Sequence, residues 1–332
     1  SLGKTGAGTL TLSGDNHAFS GDAEVLAGGL AVDGTLGGSL AMDAGTRLSG
    51  SGTLGNLDLA GTLAPGHSIG TLSASGDVTI RSGASYEVET DAAGHSDLLA
   101  VTGHATLQGG AVLNLASDGS YTTQTTYTIL TAAGGVEGQF GAVTTTLAFL
   151  DPRLDYLANA VQLTLSRNDV DFCAVTVTAN QCATGNAVEH QGGGGLYDGL
   201  LSQDVTTTRA ALGQWSGESL ASTRTALLQD SRFVREAMGD RLHRADTAQD
   251  DARAVGASAG SIWMHGWNHS GHADGDGNAS SMQGHGSGIL LGVDAPIGDW
   301  LRAGITAGEG QDALDVTALD SSAYVKNRHL GM

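Results

Sequence analysis

Short stretches in which apolar and polar residues alternate recur through the first half of the chain, each closed by glycine. Thr9-Leu10-Thr11-Leu12, Leu57-Asp58-Leu59 and Val78-Thr79-Ile80 set alternate side chains on one face, the period-two signature of a half-buried strand. The triplet Gly-Thr-Leu starts at Gly8, Gly34, Gly52, Gly61 and Gly70, with gaps of 26, 18, 9 and 9, close to multiples of nine. A strand-turn unit of that size cannot bury its apolar face alone, so successive units are expected to stack into a β-solenoid over residues 1–168. Large apolar groups become denser toward its end, at Tyr86, Tyr121, Tyr127, Phe140, Phe149 and Tyr156. Residues 65–168 are therefore the expected starting point of folding, from which order spreads coil by coil.

After Asn168 the pattern changes. A glycine-rich stretch, Gly192 to Gly195, precedes a segment without strand alternation. From Gly217 to about Asp246, Leu220, Leu227, Val234, Met238 and Leu242 follow one another at spacings of 7, 7, 4 and 4, one helical face. Ser216 is placed to cap this helix, and Glu218 to meet its positive end. A helix over 217–246 is roughly 45 Å long, enough to cross a bilayer core of about 30 Å inside a pore. It carries too many charges to face lipid. Residues 169–260 thus read as a linker.

From Ser261 alternation returns. Ile289, Leu291 and Val293 alternate with Leu290, Gly292 and Asp294; Leu301, Ala303, Ile305 and Ala307 alternate with Arg302, Gly304, Thr306 and Gly308. One face is apolar and the other small or polar, as in a transmembrane barrel with lipid outside and a polar lumen. Trp263, Trp267 and Trp300 suit an interfacial aromatic girdle. The turn Ala295-Pro296-Ile297-Gly298-Asp299 is short, and the Asp274 to Asn278 loop longer. At about ten residues per strand, residues 261–332 hold roughly four strands, fewer than the eight or so of the smallest closed barrels.

Composition sharpens this picture. With 52 Gly but 3 Pro, and a 40% hydrophobic fraction, the chain is neither collagen nor a flexible linker, so its glycines punctuate structure. The formal charge is −20, and residues 1–170 hold five Lys or Arg against sixteen Asp or Glu. Phosphate neutralisation needs cations, so no nucleic-acid partner is expected. No apolar run is long enough for a transmembrane helix. Ser1-Leu2-Gly3-Lys4 carries no leader pattern, so any signal peptide is expected further upstream. Cys173 and Cys182, the only cysteines, are candidates for a small disulfide loop in an oxidising compartment; two free thiols are the alternative.

Candidate chemistry mostly dissolves on inspection. Gly66-His67-Ser68-Ile69-Gly70 fits the G-x-S-x-G elbow of esterases, but such an elbow needs a strand before and a helix after; here Pro65 precedes and Thr71-Leu72-Ser73 follows. Gly3-Lys4-Thr5 lacks the rest of a P-loop. Asp274-Gly275-Asp276-Gly277-Asn278 opens like a calcium loop, yet Ala279 and His285 stand where glycine and glutamate are required. His265, His269, His272 and His285 cluster in sequence, but on one strand His265 and His269 lie about 13 Å apart, too far to share a metal. No catalytic, cofactor-binding or metal-binding residue is assigned.

Several of these segments carry a family resemblance. Lys4-Thr5-Gly6-Ala7-Gly8-Thr9-Leu10-Thr11-Leu12-Ser13-Gly14, Leu48-Ser49-Gly50-Ser51-Gly52-Thr53-Leu54 and Pro65-Gly66-His67-Ser68-Ile69-Gly70-Thr71-Leu72 resemble the passenger-associated repeat of type V secretion autotransporters. Ser96-Asp97-Leu98-Leu99-Ala100-Val101-Thr102-Gly103, Tyr127-Thr128-Ile129-Leu130 and Val161-Gln162-Leu163-Thr164-Leu165 resemble their autochaperone region. Trp215-Ser216-Gly217-Glu218 through Arg241-Leu242 is similar to the pore-threading linker, and Gly288 to Asp294 with Leu301 to Gly304 to the opening hairpin of the barrel.

The resemblance implies a right-handed parallel β-helix, a helical linker and the first antiparallel strands of an incomplete twelve-stranded outer-membrane barrel. It also implies self-translocation of a passenger to the cell surface, with barrel-insertion machinery and periplasmic chaperones as partners and no cofactor. A surface-binding adhesin with a host ligand of unknown kind, and a subtilisin-like protease or esterase lying upstream, are the alternatives it leaves. It further leads one to expect a terminal aromatic residue, which Leu330-Gly331-Met332 does not supply.

Overall fold

The computed structural model describes residues 1–117, 119–255, 260–298 and 301–332, with the side chains of 229–230 and 245–255 left aside. The chain divides into two compact units: Ser1–Val175 with Gly185–Thr208, and Thr176–Thr184 with Arg209–Met332.

The first unit is a parallel β-helix. One sheet runs through Leu2–Lys4, Asp22–Val25, Thr35–Met42, Thr53–Leu59, Thr71–Ala74, Leu98–Val101 and Gln124–Ala132; a second runs from Thr9–Leu12 to Ala142–Thr145. Register stacks like on like: Leu10, Leu30, Leu48, Leu63, Tyr86, Val112 and Val143 form one column through successive parallel pairs. From Leu30 to Val112 the column is at most 2% exposed, and each such burial contributes about 1.5–3 kcal/mol.

The repeat differs from the nine-residue unit expected. Thr53, Thr62 and Thr71 fall alternately on the first, second and first sheets, so nine residues is half a coil. The triplets at Gly34 and Gly52 stack directly, Thr35 on Thr53 and Leu36 on Leu54, whereas in the next coil Thr53 and Leu54 meet Ser73 and Ala74, two residues past the triplet. Glycine is needed there because coils touch through backbone: a Cβ on Gly52 would run into the Gly34 carbonyl oxygen, and one on Gly55 into that of Gly38.

The stack ends by changing direction. Gln124–Ala132 pairs antiparallel with Ala160–Arg167, which turns back through Ala158 and Asn159 on Leu150–Leu157. Tyr86, Tyr121, Tyr127 and Phe149 are at most 1% exposed here. Their hydroxyls find partners: Tyr86 donates to the Ile129 carbonyl at 2.5 Å and Tyr121 to that of Thr90 at 2.8 Å, as burial of a polar tip requires.

Residues 169–208 differ from the linker expected. They form a short 3-10 turn, Phe172–Val175, then helices α1 (Ala179–Gln191) and α2 (Gly195–Leu201), and residues 185–208 belong to the β-helix unit. Phe172 packs edge-on between Phe149 and Tyr197, with ring centres 4.7 and 5.2 Å away. Arg167 lies over the Phe149 and Phe172 rings and donates to both Glu189 carboxylate oxygens at 3.1 Å. These residues close the apolar end that the strands alone leave open.

The second unit contains α3 (Val205–Trp215) from Arg209 onward, the 38-residue α4 (Glu218–Val255) and a four-stranded antiparallel meander: Ser261–Ala273, Met282–Ile297, Leu301–Val316 and Ser321–Gly331. The strands reach 16 residues, longer than strands of ordinary globular sheets.

Candidate functional site: a helix on the inner face of the meander

Alternation in the meander sorts residues as expected, but to opposite solvents. Ile262, Leu291, Ile305 and Leu330 point away from the helix and are 85%, 54%, 61% and 88% exposed. The other face carries Gly286, Gly288, Gly292, Asp294, Arg302, Gly304, Gly308 and Asp312, and α4 lies against it. Small and polar residues there leave room for a helix that itself presents small and polar groups.

That helix keeps Leu227, Val234 and Met238 of the expected face half-buried, but its most buried positions lie one residue away. Leu220 and Leu242 are 76% and 62% exposed, whereas Ala226 and Ala237 are 7% and 3% exposed. Phe233 and Arg241 continue this face at helical spacing. The sequence pattern marks the leucines because it rewards hydrophobicity; the meander selects for small size and paired charge. The cap differs from the one expected: Gly217, at φ 72°, precedes the first helical residue and its carbonyl accepts the Ala221 N–H at 3.2 Å, while the Ser216 hydroxyl oxygen, one residue further out, accepts the Glu218 N–H at 3.3 Å.

Among the described residues, α4 is held by contacts along its length. Near one rim, Arg241 donates through Nε and Nη2 to Asp294 at 2.7 and 2.9 Å, while Arg302 Nε reaches the same carboxylate at 2.6 Å. The three side chains are 20%, 11% and 14% exposed. One acid between two cations at this burial needs every hydrogen bond to offset its desolvation. In mid-helix the Phe233 ring stacks on His269, centres 4.6 Å apart. At the other rim the Glu218 carboxylate accepts the Ser280 N–H at 2.5 Å. Asn180 and Asn278 exchange bonds at 2.8 and 3.0 Å, which docks the Asp274–Ser281 loop on the start of α1 as well.

Trp263 and Trp267 do not form an outer girdle. They face inward, opposite Gly292 and Gly288, and a Cβ at either glycine would strike the facing indole ring. The glycines leave flat ledges that the rings cover. The matching four-residue spacing, Trp263 to Trp267 against Gly288 to Gly292, is the sequence signal that could have revealed this. Trp300 and Asp299 lie outside the described residues.

The other candidates are dispersed. Ser68 is exposed in a bend followed by strand Thr71–Ala74, and His67 bonds Asp33 at 2.8 Å. His265 and His269 face inward, His285 is exposed on the outer side, and His272 bonds Asp274 at 2.9 Å. The Asp276 carboxylate accepts N–H groups of its own loop, from Asn278 and Ala279 at 2.8 and 2.6 Å. Lys4 is surrounded by the carbonyls of Gly6, Gly8 and Ala27. Neither cysteine is free.

A stacked β-helix, followed in the chain by a meander with one apolar face and a charged helix on the other, is the arrangement expected of a passenger end and the start of a barrel. The family profiles agree: Autotransporter beta-domain matches residues 262–332 and Passenger-associated-transport-repeat residues 2–32. Two extracellular serine proteases of Serratia marcescens are 31% and 28% identical across the whole chain, which covers 36% and 37% of them. The adhesin BmaC autotransporter of Brucella suis is 36% identical over 81 residues, 24% of this chain and 2% of that protein. Residues 262–332 thus match an autotransporter beta-domain, the part that anchors such proteins in the outer membrane. The chain spans about a third of the two Serratia relatives.

Proposed function

We propose that this chain is the exit and anchor portion of a self-exporting protein. Residues 1–168 are the membrane-proximal end of its passenger, with 65–168 as the folding nucleus; within 169–260 the first part, to 208, closes that end, the rest connects it to the membrane, and α4 threads the pore; 261–332 begin the barrel. The observation that carries this is α4 lying on the polar inner face of a meander whose outer face is apolar. Folding of the passenger end outside opposes backward sliding, so export needs no catalytic residue in this segment.

Until the barrel closes, the edge strands expose unpaired N–H and C=O groups. Periplasmic chaperones and an insertion machinery are the partners this demands. The similarity to extracellular serine proteases supports a proteolytic passenger preceding the segment aligned here. The short BmaC alignment gives an adhesive passenger less support. A Cys173–Cys182 bridge closes a ten-residue ring, compact enough to leave the chain narrow during export.

The test is external protease digestion of cells making the complete protein. Arg241→Ala removes a charge-assisted pair worth about 1.5–3 kcal/mol, so α4 should become cleavable and pore conductance should rise. Unchanged protection and conductance, with the barrel inserted, would remove the threading assignment.

A further inference from the structure

The outer face of the meander is apolar only up to a line. From the short-turn rim, cross-strand rows run Ile297 with Leu301, Val293 with Ile305, and Leu291 with Ala307, which pairs with Leu330. Along Met282–Ile297 the outward positions from Ile289 to Ile297 cover about 26 Å of strand, close to the roughly 25 Å band of outer-membrane barrels. The last row of that band is already mixed, because Ile289 pairs with Glu309, and beyond it the polar character takes over. Glu309 pairs with Arg328, Gln311 with Lys326, and Ala313 with Tyr324, and Tyr324, Lys326 and Arg328 are all exposed.

This polar end lies on the rim of the Asp274–Ser281 and Thr317–Asp320 connections, opposite the short turn after Ile297. Longer connections mark the extracellular side of such barrels. The chain has two lysines: Lys4 is enclosed by carbonyls, and Lys326 stands here. Its ammonium lies 5.8 Å from the Tyr324 ring, and the Tyr324 hydroxyl donates to Gln311 at 2.7 Å. Lys326 and Arg328, two residues apart on one face, are spaced by about 7 Å. In a protein with net charge −20, these two cations beside the hydrocarbon border share one carboxylate on their own face, Glu309 opposite Arg328, while Lys326 stands opposite the neutral Gln311, so the lysine suits an anion from the membrane.

On the barrel reading above, we propose that Lys326 and Arg328, beside the Tyr324 ring, bind the phosphate groups of phosphorylated glycolipid in the outer leaflet. Arg328 also balances Glu309 across the strand, so Lys326 makes the stronger phosphate contact. The site faces the bilayer, separate from the helix-bearing inner face.

The complete protein, refolded into phosphatidylcholine vesicles doped with diphosphoryl lipid A, should keep its unheated gel mobility to a temperature several degrees higher than in undoped vesicles. Lys326→Gln with Arg328→Gln should lose that gain while matching the wild type in undoped vesicles, which shows that it folds. Lys326→Arg should retain the gain; if the double variant fails to fold, Lys326→Gln alone should lose most of it. Equal gains for wild type and variant, an equal gain with dephosphorylated lipid A, or a full gain from inorganic phosphate would each overturn the proposal. Failure of the wild type to integrate into undoped vesicles would instead count against the barrel reading.

Discussion

Beyond the first coil of the β-helix the apolar member of an alternating pair is mostly hidden, whereas in the meander it is displayed. Leu48, Leu63 and Tyr86 are 0% exposed, and Leu291 and Ile305, in equally regular alternation, are 54% and 61% exposed. Glycine serves both, for different neighbours. In the β-helix it lets one coil's backbone approach the next, and in the meander it lets indole rings lie flat on a strand. Period two therefore fixes that a strand has two faces, and what fills each face decides which is the core. A leucine column wants its own kind inside, while a ledge of glycine, aspartate and arginine wants a polar helix and leaves the aliphatic side to lipid.

The largest expected contrast comes from deleting apolar groups on the two sides. Tyr86→Ala removes a fully buried ring and the hydroxyl bond to Ile129, and should cost about 3–5 kcal/mol. Leu291→Ala, on the outer face, should leave urea unfolding of the chain in water nearly unchanged. Denaturation followed by tyrosine fluorescence checks both. A similar loss for the two would mean that Leu291 is buried against protein and that the faces are assigned wrongly.

Much of this contrast is readable in the chain, and the missing parts share a cause. The strands, the glycine turns and the start of the meander at Ser261 follow from local pattern. The closing helices do not: α1 distributes its apolar residues around the helix, so no face stands out. Its role depends on Arg167 meeting Glu189 from 22 residues away and on Phe172 filling a gap left by Phe149 and Tyr197. The buried side of α4 is likewise set by a partner, because Asp294 and the Gly288 and Gly292 ledges favour Arg241, Ala237 and Phe233 over Leu242. The inward tryptophans become legible only once the cross-strand register is known. Hydrophobic pattern ranks residues one by one, and these contacts belong to pairs.

A smaller effect is expected where the β-helix unit gives way to the second unit. A ten-residue ring through Cys173 and Cys182 should stabilise the chain by just under about 3 kcal/mol on the loop-entropy estimate. In protein oxidised in the periplasm, both thiols should resist alkylation until reductant is added, and reduction should lower the unfolding midpoint. Full labelling without reductant would rule out the bridge.

Smaller again is a pH effect confined to the β-helix. Asp97 is 1% exposed and accepts the Gly70 and Glu89 N–H groups at 2.8 and 2.9 Å. Burial outweighs these bonds and pushes its carboxyl up to about 6, against an ordinary value of about 3.9 in the unfolded chain. A carboxyl raised on folding contributes stability that is fully present below about pH 4 and lost as pH rises through about 6. The wild type should therefore lose on the order of 2 kcal/mol relative to Asp97→Asn between pH 4 and 7. The asparagine's missing acceptor costs the same at both values and cancels from the comparison. Urea titrations at the two pH values check it; parallel changes for both proteins would show that Asp97 does not titrate in this window.

The smallest effect comes from the same pair of side chains placed in the two regions. Arg81 meets Asp58 through Nε at 2.6 Å and also through Nη2, the fork geometry that Arg241 offers Asp294. Arg81 and Asp58 remain 56% and 40% exposed, against 20% and 11% for the inner pair. Hydrogen bonding to Arg81 holds the Asp58 carboxyl below the usual carboxylate range, yet water and salt screen this contact, and fixing two mobile side chains offsets what remains. Arg81→Ala should thus shift the unfolding midpoint only slightly at low salt and not at all in molar salt. Arg241→Ala should release α4 at either salt concentration, because its partner is largely withdrawn from solvent. Thermal scans of the first variant and protease digestion of the second, each at both salt levels, provide the measurement. If salt were to erase the Arg241 effect as completely as that of Arg81, the Asp294 carboxylate would have to stand in open water, and α4 would not be held against the inner face.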